Sequence, residues 1–205
     1  MDTRKLERQI EEEWEETYRV ADVASLPREA FEPPSRLVEL VKKGLVKKGK
    51  ALDVGCGLGA TCVFLALNGF YATGVDISKT ALKYAEEIAK ENNVKIRLIR
   101  GFAHKLDFPP KTFSLVVDRG CLHHTPKELW EGYIENVHRV LGNGGSFYLE
   151  CFSDKSAHAG GHKFSREGLE KLFGDRFSIE RVAVTRNRDV EGRELYINCV
   201  LMREK

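Results

Sequence analysis

The stretch Asp53-Val54-Gly55-Cys56-Gly57-Leu58-Gly59 decides how this chain is interpreted. Apolar residues precede and follow it, so the pattern predicts a short buried strand, a glycine turn and a helix. Glycines spaced by two let the backbone pass close to a ligand, because no Cβ intervenes. A carboxylate such as Asp53 at the end of a buried strand is costly unless it meets a cation or several hydrogen-bond donors. The turn therefore predicts a ligand with a positive group and hydroxyls.

S-adenosyl-L-methionine satisfies both demands, because it has an α-ammonium, a sulfonium and a ribose. A dinucleotide is the alternative, since Gly55, Gly57 and Ala60 fit a lax form of that fingerprint. Two features weigh against it: the strand end of a nicotinamide site is normally apolar, and Gly59 extends the motif to Gly-x-Gly-x-Gly. A plain strand-to-helix turn without a ligand leaves Asp53 unexplained. We therefore predict S-adenosylmethionine as the cofactor.

A second acidic residue stands where the first motif requires it. The segment Tyr71–Asp76 reads as the next strand, and Asp76 lies 21 positions after Gly55. An acidic residue at this spacing can accept hydrogen bonds from both ribose hydroxyls. Ser78 is predicted to cap the helix that follows.

These motifs resemble those of the class I S-adenosylmethionine-dependent methyltransferases, over residues 52 to about 153. Within that superfamily, Asp118–His124 and the N-terminal Trp14 are similar to the thiopurine and tellurite-resistance group. Phe102 departs from the pattern, because the third motif commonly has an acidic residue there; backbone groups or Asp107 would then recognise the adenine. The resembling segments are Asp53–Gly59, Gly74–Ser78, Gly101–Phe108, Phe113–Asp118 and Leu141–Gly145.

The resemblance implies a set of cofactor-binding residues and a strand order. The implied contacts are Trp14, Asp53, Gly55, Cys56, Gly57, Asp76, Ile77, Phe102, Ala103 and Asp118. Alternating strands and helices independently predict an α/β, doubly wound, mostly parallel sheet. The last two strands have no helix between them and are predicted to form an antiparallel hairpin. The family's seven-stranded order is 3-2-1-4-5-7-6.

The chain is predicted to be one methyltransferase domain, residues 1–205. Residues 1–34 are expected to form an N-terminal lid helix and loop over a Rossmann-like core of residues 35–205. Leu6, Ile10, Trp14 and Tyr18 follow one stripe of the first helix. An aromatic ring from this stripe could lie against the sulfonium or the adenine.

Bulk properties fit a cytoplasmic enzyme. The net charge of +2 is too small to argue for a nucleic-acid or membrane partner. No 18-residue apolar run or signal-peptide core is present. The five cysteines form no Cys-x-x-Cys pair. Oligomeric state cannot be read from the sequence.

Five of the six histidines are predicted to lie in loops on the ligand side of the sheet. His123 and His124 are the candidate catalytic residues, because they directly follow strand four and one could act as a general base. His158 and His162 have a spacing that metals can use, but Gly160-Gly161 argues for a loop, and no metal is predicted.

The predicted reaction is in-line methyl transfer to a small molecule, with a thiol or other soft nucleophile favoured because such acceptors need little base assistance. A nucleotide-dependent oxidoreductase and a non-catalytic S-adenosylmethionine-binding regulator remain as alternatives.

Overall fold

Among the described residues, seven strands form one sheet. Numbered along the chain, their order is 3-2-1-4-5-7-6, which is the order that the family resemblance implies. The computed structural model describes residues 2–20, 31–156, 160–188 and 192–205. The strands are β1 (Lys50–Val54), β2 (Tyr71–Asp76), β3 (Arg97–Arg100), β4 (Phe113–Arg119), β5 (Leu141–Phe152), β6 (Phe177–Arg188) and β7 (Glu194–Glu204). β1 to β5 pair in parallel, whereas β7 is antiparallel to both β5 and β6.

Helices cover both faces of the sheet. They are α1 (Thr3–Val20), α2 (Ser35–Lys42), α3 (Ala60–Leu67), α4 (Lys79–Glu91), α5 (Cys121–His124), α6 (Trp130–Val140) and α7 (Arg166–Phe173). One apolar core packs α6 and α7 against the sheet, and the other packs α2 and α3 against the opposite face. Burial on both faces explains the nearly continuous apolar runs of the central strands.

The polar ends of the elements also follow their local sequence. Ser78 caps α4 as predicted, because its Oγ accepts a hydrogen bond from the Ala81 amide at 3.0 Å.

His123 and His124 lie on the short helix α5, so the prediction that they belong to a loop is wrong. No helix within the described ranges is long and apolar enough to cross a membrane.

Candidate functional site

A cavity of about 560 Å³ opens at the carboxyl ends of the strands, where ligands bind in sheets of this kind. It has two parts. The β1–β3 half is lined by the segments after those strands, and the β4–β7 half by α5, β5 and the C-terminal hairpin. All predicted site residues except Asp118 line this cavity: Trp14, Asp53, Gly55, Cys56, Gly57, Asp76, Ile77, Phe102, Ala103, His123 and His124.

The glycine turn is built for close approach. Gly55 and Gly57 have φ angles of +69° and +50°, in the left-handed region that favours glycine. A Cβ on Gly57 would lie 2.6 Å from the Tyr18 hydroxyl, and one on Gly55 would lie 2.8 Å from the Cβ of Cys121. Both positions therefore require glycine for conformation and for space.

Asp53 is a buried carboxylate that lacks a strong partner. It is 2% exposed, lines the cavity, and receives a weak hydrogen bond from the Cys62 thiol at 3.6 Å. Burial raises the pKa of Asp53 to about 7. The charge of Arg119 favours the ionised form of Asp53 but does not offset the burial. No ion pair to Asp53 is found among the described residues, so the site fits a ligand that brings a cation to this carboxylate.

Asp76 connects the first two motifs. Its Oδ2 accepts a hydrogen bond from the Gly57 amide at 2.8 Å, and its Oδ1 accepts one from the Ser78 amide at 2.9 Å. Each oxygen keeps a further lone pair. Burial raises the pKa of Asp76. Its carboxylate lines the cavity beside Ile77, which fits the predicted role in ribose recognition.

Asp118 does not line the cavity. Its carboxylate is fully buried and accepts hydrogen bonds from the Tyr133 hydroxyl and from the amides of Cys121 and Leu122. Burial raises its pKa to about 7. These contacts support a structural role, in which Asp118 fixes the start of α5, rather than the predicted contact with the cofactor.

Phe102 and Ala103 line the β1–β3 half, whereas Asp107 is exposed and does not. The expectation that Asp107 replaces the missing acidic residue therefore lacks geometric support. Phe102 instead presents a ring, which lies 5.3 Å from the ring of His104. This wall offers a stacking surface for a planar base.

Helix α1 closes one side of the cavity. Ile10, Trp14 and Tyr18 line it, so the stripe predicted for this helix faces the site. The Trp14 ring lies edge-on to His124 at 5.2 Å. Burial raises the pKa of Tyr18 above its ordinary value, and its hydroxyl lies above Gly57.

Three glutamates on another side of α1 hold the helix in this position. Glu7 Oε1 lies 2.6 Å from both His104 Nε2 and Lys105 Nζ, and Glu11 pairs with Arg100.

Glu15 accepts hydrogen bonds from the hydroxyls of Ser78 at 2.8 Å and Thr80 at 2.6 Å. The hydrogen bond from the Thr80 hydroxyl is the main cause that lowers the pKa of Glu15. We call Glu7, Glu11 and Glu15 the α1 carboxylates. The spacing of four that places them on one side of the helix is visible in the sequence, but their partners are not.

The two candidate catalytic histidines are both desolvated. Burial lowers the pKa of His123 to about 2 and also lowers that of His124. His123 Nδ1 accepts a hydrogen bond from the Phe152 amide at 3.2 Å, and its ring stacks on Phe152 at 3.8 Å. His123 is therefore neutral with its proton on Nε2, and its ring is held by β5. His124 makes a hydrogen bond with the Gly160 backbone.

The β4–β7 half contains residues that the sequence did not single out. Arg119, Glu150, Asn187, Arg188, Leu195 and Ile197 line it. Their strands are far apart in the chain and become neighbours only through the register of the sheet, in which Arg119 pairs with Glu150. The signal available in the sequence was that Arg119 and Glu150 lie at or near the carboxyl ends of β4 and β5, where ligands bind.

No group of three metal-ligating side chains converges within the residues that the structure describes. His158 lies outside those residues. His162 packs edge-on against Trp130 at 4.9 Å.

Comparisons with known proteins agree on one kind of enzyme. A family model described as a methyltransferase domain matches residues 51–145. The chain is 28% identical over 161 residues to the 2-heptyl-1-hydroxyquinolin-4(1H)-one methyltransferase of Mycobacteroides abscessus, covering 76% of this chain and 70% of that protein. Other curated methyltransferases align over 38 to 56% of their own lengths.

Solved structures share the fold. The Burkholderia thailandensis 1,6-didemethyltoxoflavin-N1-methyltransferase, solved with S-adenosylhomocysteine, superposes with a TM-score of 0.79 at 18% identity, over 98% of this chain and 90% of that one. TehB from Haemophilus influenzae has a TM-score of 0.72 at 18% identity, over 84% and 62%. The second likeness agrees, at the level of the fold, with the narrower resemblance predicted from the sequence.

Proposed function

Because the chain belongs to the class I S-adenosylmethionine-dependent methyltransferases, with S-adenosyl-L-methionine as cofactor, we propose that it methylates a small molecule through a thiol or another soft nucleophile. The family membership removes the support for a nucleotide-dependent oxidoreductase. A non-catalytic regulator would bind the cofactor without transferring its methyl group. The cytoplasmic location and the absence of a nucleic-acid partner remain predictions.

The residues of the β1–β3 half suit the cofactor. We assign Asp53 to its α-ammonium, Asp76 and Ile77 to its ribose, and Phe102 and Ala103 to its adenine. The backbone of Gly55, Cys56 and Gly57 would pass beneath it. When bound, the cofactor supplies a methyl group on its sulfonium, from which S-adenosylhomocysteine leaves as a neutral thioether. Trp14 and Tyr18 on α1 would exclude water and hold the acceptor close and collinear.

The observation that carries the acceptor class is the desolvation of both histidines. An alcohol or amine needs a base to remove its proton, and an effective base has a pKa near the working pH. His123 is a hydrogen-bond donor at Nε2 with a pKa of about 2, and the pKa of His124 is lowered. His123 does not suit that task, and the lowered pKa makes His124 a weaker base than an exposed histidine. A thiol can lose its proton to water near neutral pH and needs only to be positioned.

The 2-heptyl-1-hydroxyquinolin-4(1H)-one methyltransferase and the 1,6-didemethyltoxoflavin-N1-methyltransferase are both named for small-molecule substrates. Their names support a small-molecule acceptor. The second name gives a nitrogen, N1, as the atom that its enzyme methylates, so the thiol preference proposed for this chain depends on the histidines alone.

A transfer assay with labelled S-adenosylmethionine tests this proposal. Aromatic thiols, phenols, aliphatic alcohols and amines are compared as acceptors, with the wild-type protein and with His124→Ala. We expect thiols to be methylated fastest, the rate to rise with pH according to the acceptor's own ionisation, and His124→Ala to lower turnover by less than about tenfold. Faster methylation of alcohols or amines, with a loss of about 10²–10⁴ in His124→Ala, would contradict the proposal.

A further inference from the structure

Glu150 is a cavity-lining carboxylate with one oxygen satisfied and the other not. Its Oε1 accepts hydrogen bonds from the Tyr148 hydroxyl at 2.6 Å and from the Cys199 thiol at 3.6 Å. The other oxygen, Oε2, faces Arg119 Nε at 3.6 Å, which is too long for a good hydrogen bond. Among the described residues, no hydrogen bond to Oε2 is found.

The sheet places this carboxylate in the β4–β7 half. Glu150 pairs with Arg119 on β4 and with Cys199 on β7, so the three side chains lie on one face of the sheet. Leu195 and Ile197 of the hairpin line the same part of the cavity. The Glu150 side chain is 14% exposed. The carboxylate therefore lies beside an apolar patch, in a half of the cavity that Asn187 and Arg188 also line, on the side away from Asp76.

Water can reach this oxygen in the open cavity. A ligand that displaces the water must supply a donor to Oε2, because an unpaired oxygen buried beneath the ligand is costly. Arg119 already compensates much of its charge at 3.6 Å. The missing partner is therefore best supplied by a neutral O–H or N–H group and does not need to be a second cation. Tyr148, which is 1% exposed, fixes the orientation of the carboxylate from below.

We propose that Glu150 is a specificity-determining residue that accepts, through Oε2, a hydrogen bond from an O–H or N–H group of the methyl acceptor. The inference rests on the proposed function and narrows it. The acceptor would be a small apolar thiol that carries a hydroxyl, an amino group or a ring N–H remote from its sulfur. Arg119 would act as a positioning residue by holding the ionised carboxylate toward the cavity.

A pair of matched probes tests this assignment by binding alone. Para-mercaptophenol and para-thiocresol have nearly the same shape, but the first has a hydroxyl where the second has a methyl. Their affinities for the protein saturated with S-adenosylhomocysteine are measured by calorimetry, so that no transfer occurs. A site built around a hydrogen bond rejects an analogue that lacks the donor. We expect wild-type protein to prefer the phenol by about tenfold or more.

Three variants complete the experiment. Glu150→Ala should remove the preference, and Glu150→Gln, which keeps one acceptor oxygen, should retain part of it. Glu135→Ala is the control, because this glutamate is exposed on α6 and outside the cavity. Melting temperature and affinity for S-adenosylhomocysteine report whether each variant is folded. If Glu150→Ala does not fold, Glu150→Gln and the wild-type comparison still decide the outcome.

The proposal is overturned if wild-type protein shows no preference, whether both probes bind or neither does, or if a folded Glu150→Ala keeps the full preference. Its failure is distinguishable from failure of the proposed function. Selective binding without methyl transfer to thiols would defeat only the latter, whereas transfer without selective binding would defeat only the former.

Discussion

The Gly57 amide donates a hydrogen bond of 2.8 Å to Asp76 Oδ2, and this bond joins the turn after β1 to the end of β2. The two motifs that the sequence presents separately are therefore one unit in the structure. A ligand that reaches Asp76 must also lie against the glycine turn. The first two predictions follow from this unit.

Replacing Asp76 should weaken cofactor binding. Asp76→Ala removes the carboxylate assigned to the ribose and the acceptor of the Gly57 amide, so we expect a loss of about 2–4 kcal/mol in the free energy of binding. Calorimetric titration with S-adenosylmethionine measures it. Asp107→Ala is the control, because Asp107 is exposed and outside the cavity, and its affinity should not change. Wild-type affinity in Asp76→Ala would refute the assignment.

Gly57 and Tyr18 should be energetically coupled. In Gly57→Ala the new Cβ would meet the Tyr18 hydroxyl at 2.6 Å, so we expect α1 to be displaced and cofactor affinity to fall. Tyr18→Phe removes the clashing oxygen, and the nearest remaining ring atom is 3.6 Å away. The double variant should therefore recover part of the loss, which a double-mutant cycle measures.

A control separates this clash from backbone strain. Gly44 has a φ of +66° and nothing within 4 Å of its Cβ position, so Gly44→Ala reports the conformational cost alone. We expect that cost to be about 1–2 kcal/mol in the free energy of unfolding, with no effect on cofactor affinity. Purely additive effects of Gly57→Ala and Tyr18→Phe would show that the clash does not matter.

The α1 carboxylates should control docking of the first helix. Glu15→Ala removes the acceptor of the Ser78 and Thr80 hydroxyls, so residues 3–20 should exchange amide hydrogens faster while the sheet stays protected. Cofactor affinity should fall, because Trp14 and Tyr18 lose their position over the site. Glu12→Ala, an exposed position on the same helix, should leave exchange unchanged. Equal exchange in the two variants would argue against a docking role for Glu15.

Asp53 should give the protein a characteristic pH dependence. Burial raises its pKa in the folded state from 3.8 to about 7. Between about pH 4 and pH 7 the folded protein therefore holds a proton that the unfolded chain has released. The contribution of Asp53 to the free energy of unfolding should fall as the pH rises across this window. Burial raises the pKa of Asp118 to about 7 as well, so Asp118 contributes over the same window. Asp53→Asn should therefore make that part of the profile less steep in chemical denaturation without abolishing its slope.

Proton release on cofactor binding gives a second test of the role assigned to Asp53. An α-ammonium beside Asp53 favours the ionised form, so binding of S-adenosylmethionine at pH 6 should release a proton. Calorimetry in buffers of different ionisation enthalpy detects it. Methylthioadenosine, which lacks the amino-acid part, should release less. Asp53→Asn should release less than wild-type protein with S-adenosylmethionine, whereas the two proteins should behave alike with methylthioadenosine. Equal proton release by wild-type protein and Asp53→Asn would contradict the assignment.

The sequence predicted those parts of the site that local pattern encodes. The glycine turn, Asp53 and Asp76 follow from the spacing of strand ends and glycines, and the strand order followed from the family resemblance. Asp118 shows the limit of this reasoning. A carboxylate at a strand end gives the same sequence pattern whether its side chain faces the cavity or the amides of the following helix. In this structure the Asp118 carboxylate accepts hydrogen bonds from the amides of Cys121 and Leu122.

Long-range contacts could not be predicted. Glu15 meets Ser78 across 63 positions and Glu7 meets His104 across 97, so nothing near them in the sequence identifies their partners. Helix α5 was missed because four residues are too few to show a helical period. Glu150 was missed because its environment comes from β4, β5 and the β6–β7 hairpin, which become neighbours only in the folded sheet.

The position of β7 has a consequence for how the chain is made. β7 follows β6 in sequence yet lies between β5 and β6 in the sheet. During synthesis, β5 therefore has no partner on that side until Glu194–Glu204 has left the ribosome. An unpaired strand edge is a template for association with other chains. The nascent protein accordingly exposes this edge of β5 to other chains until β7 emerges.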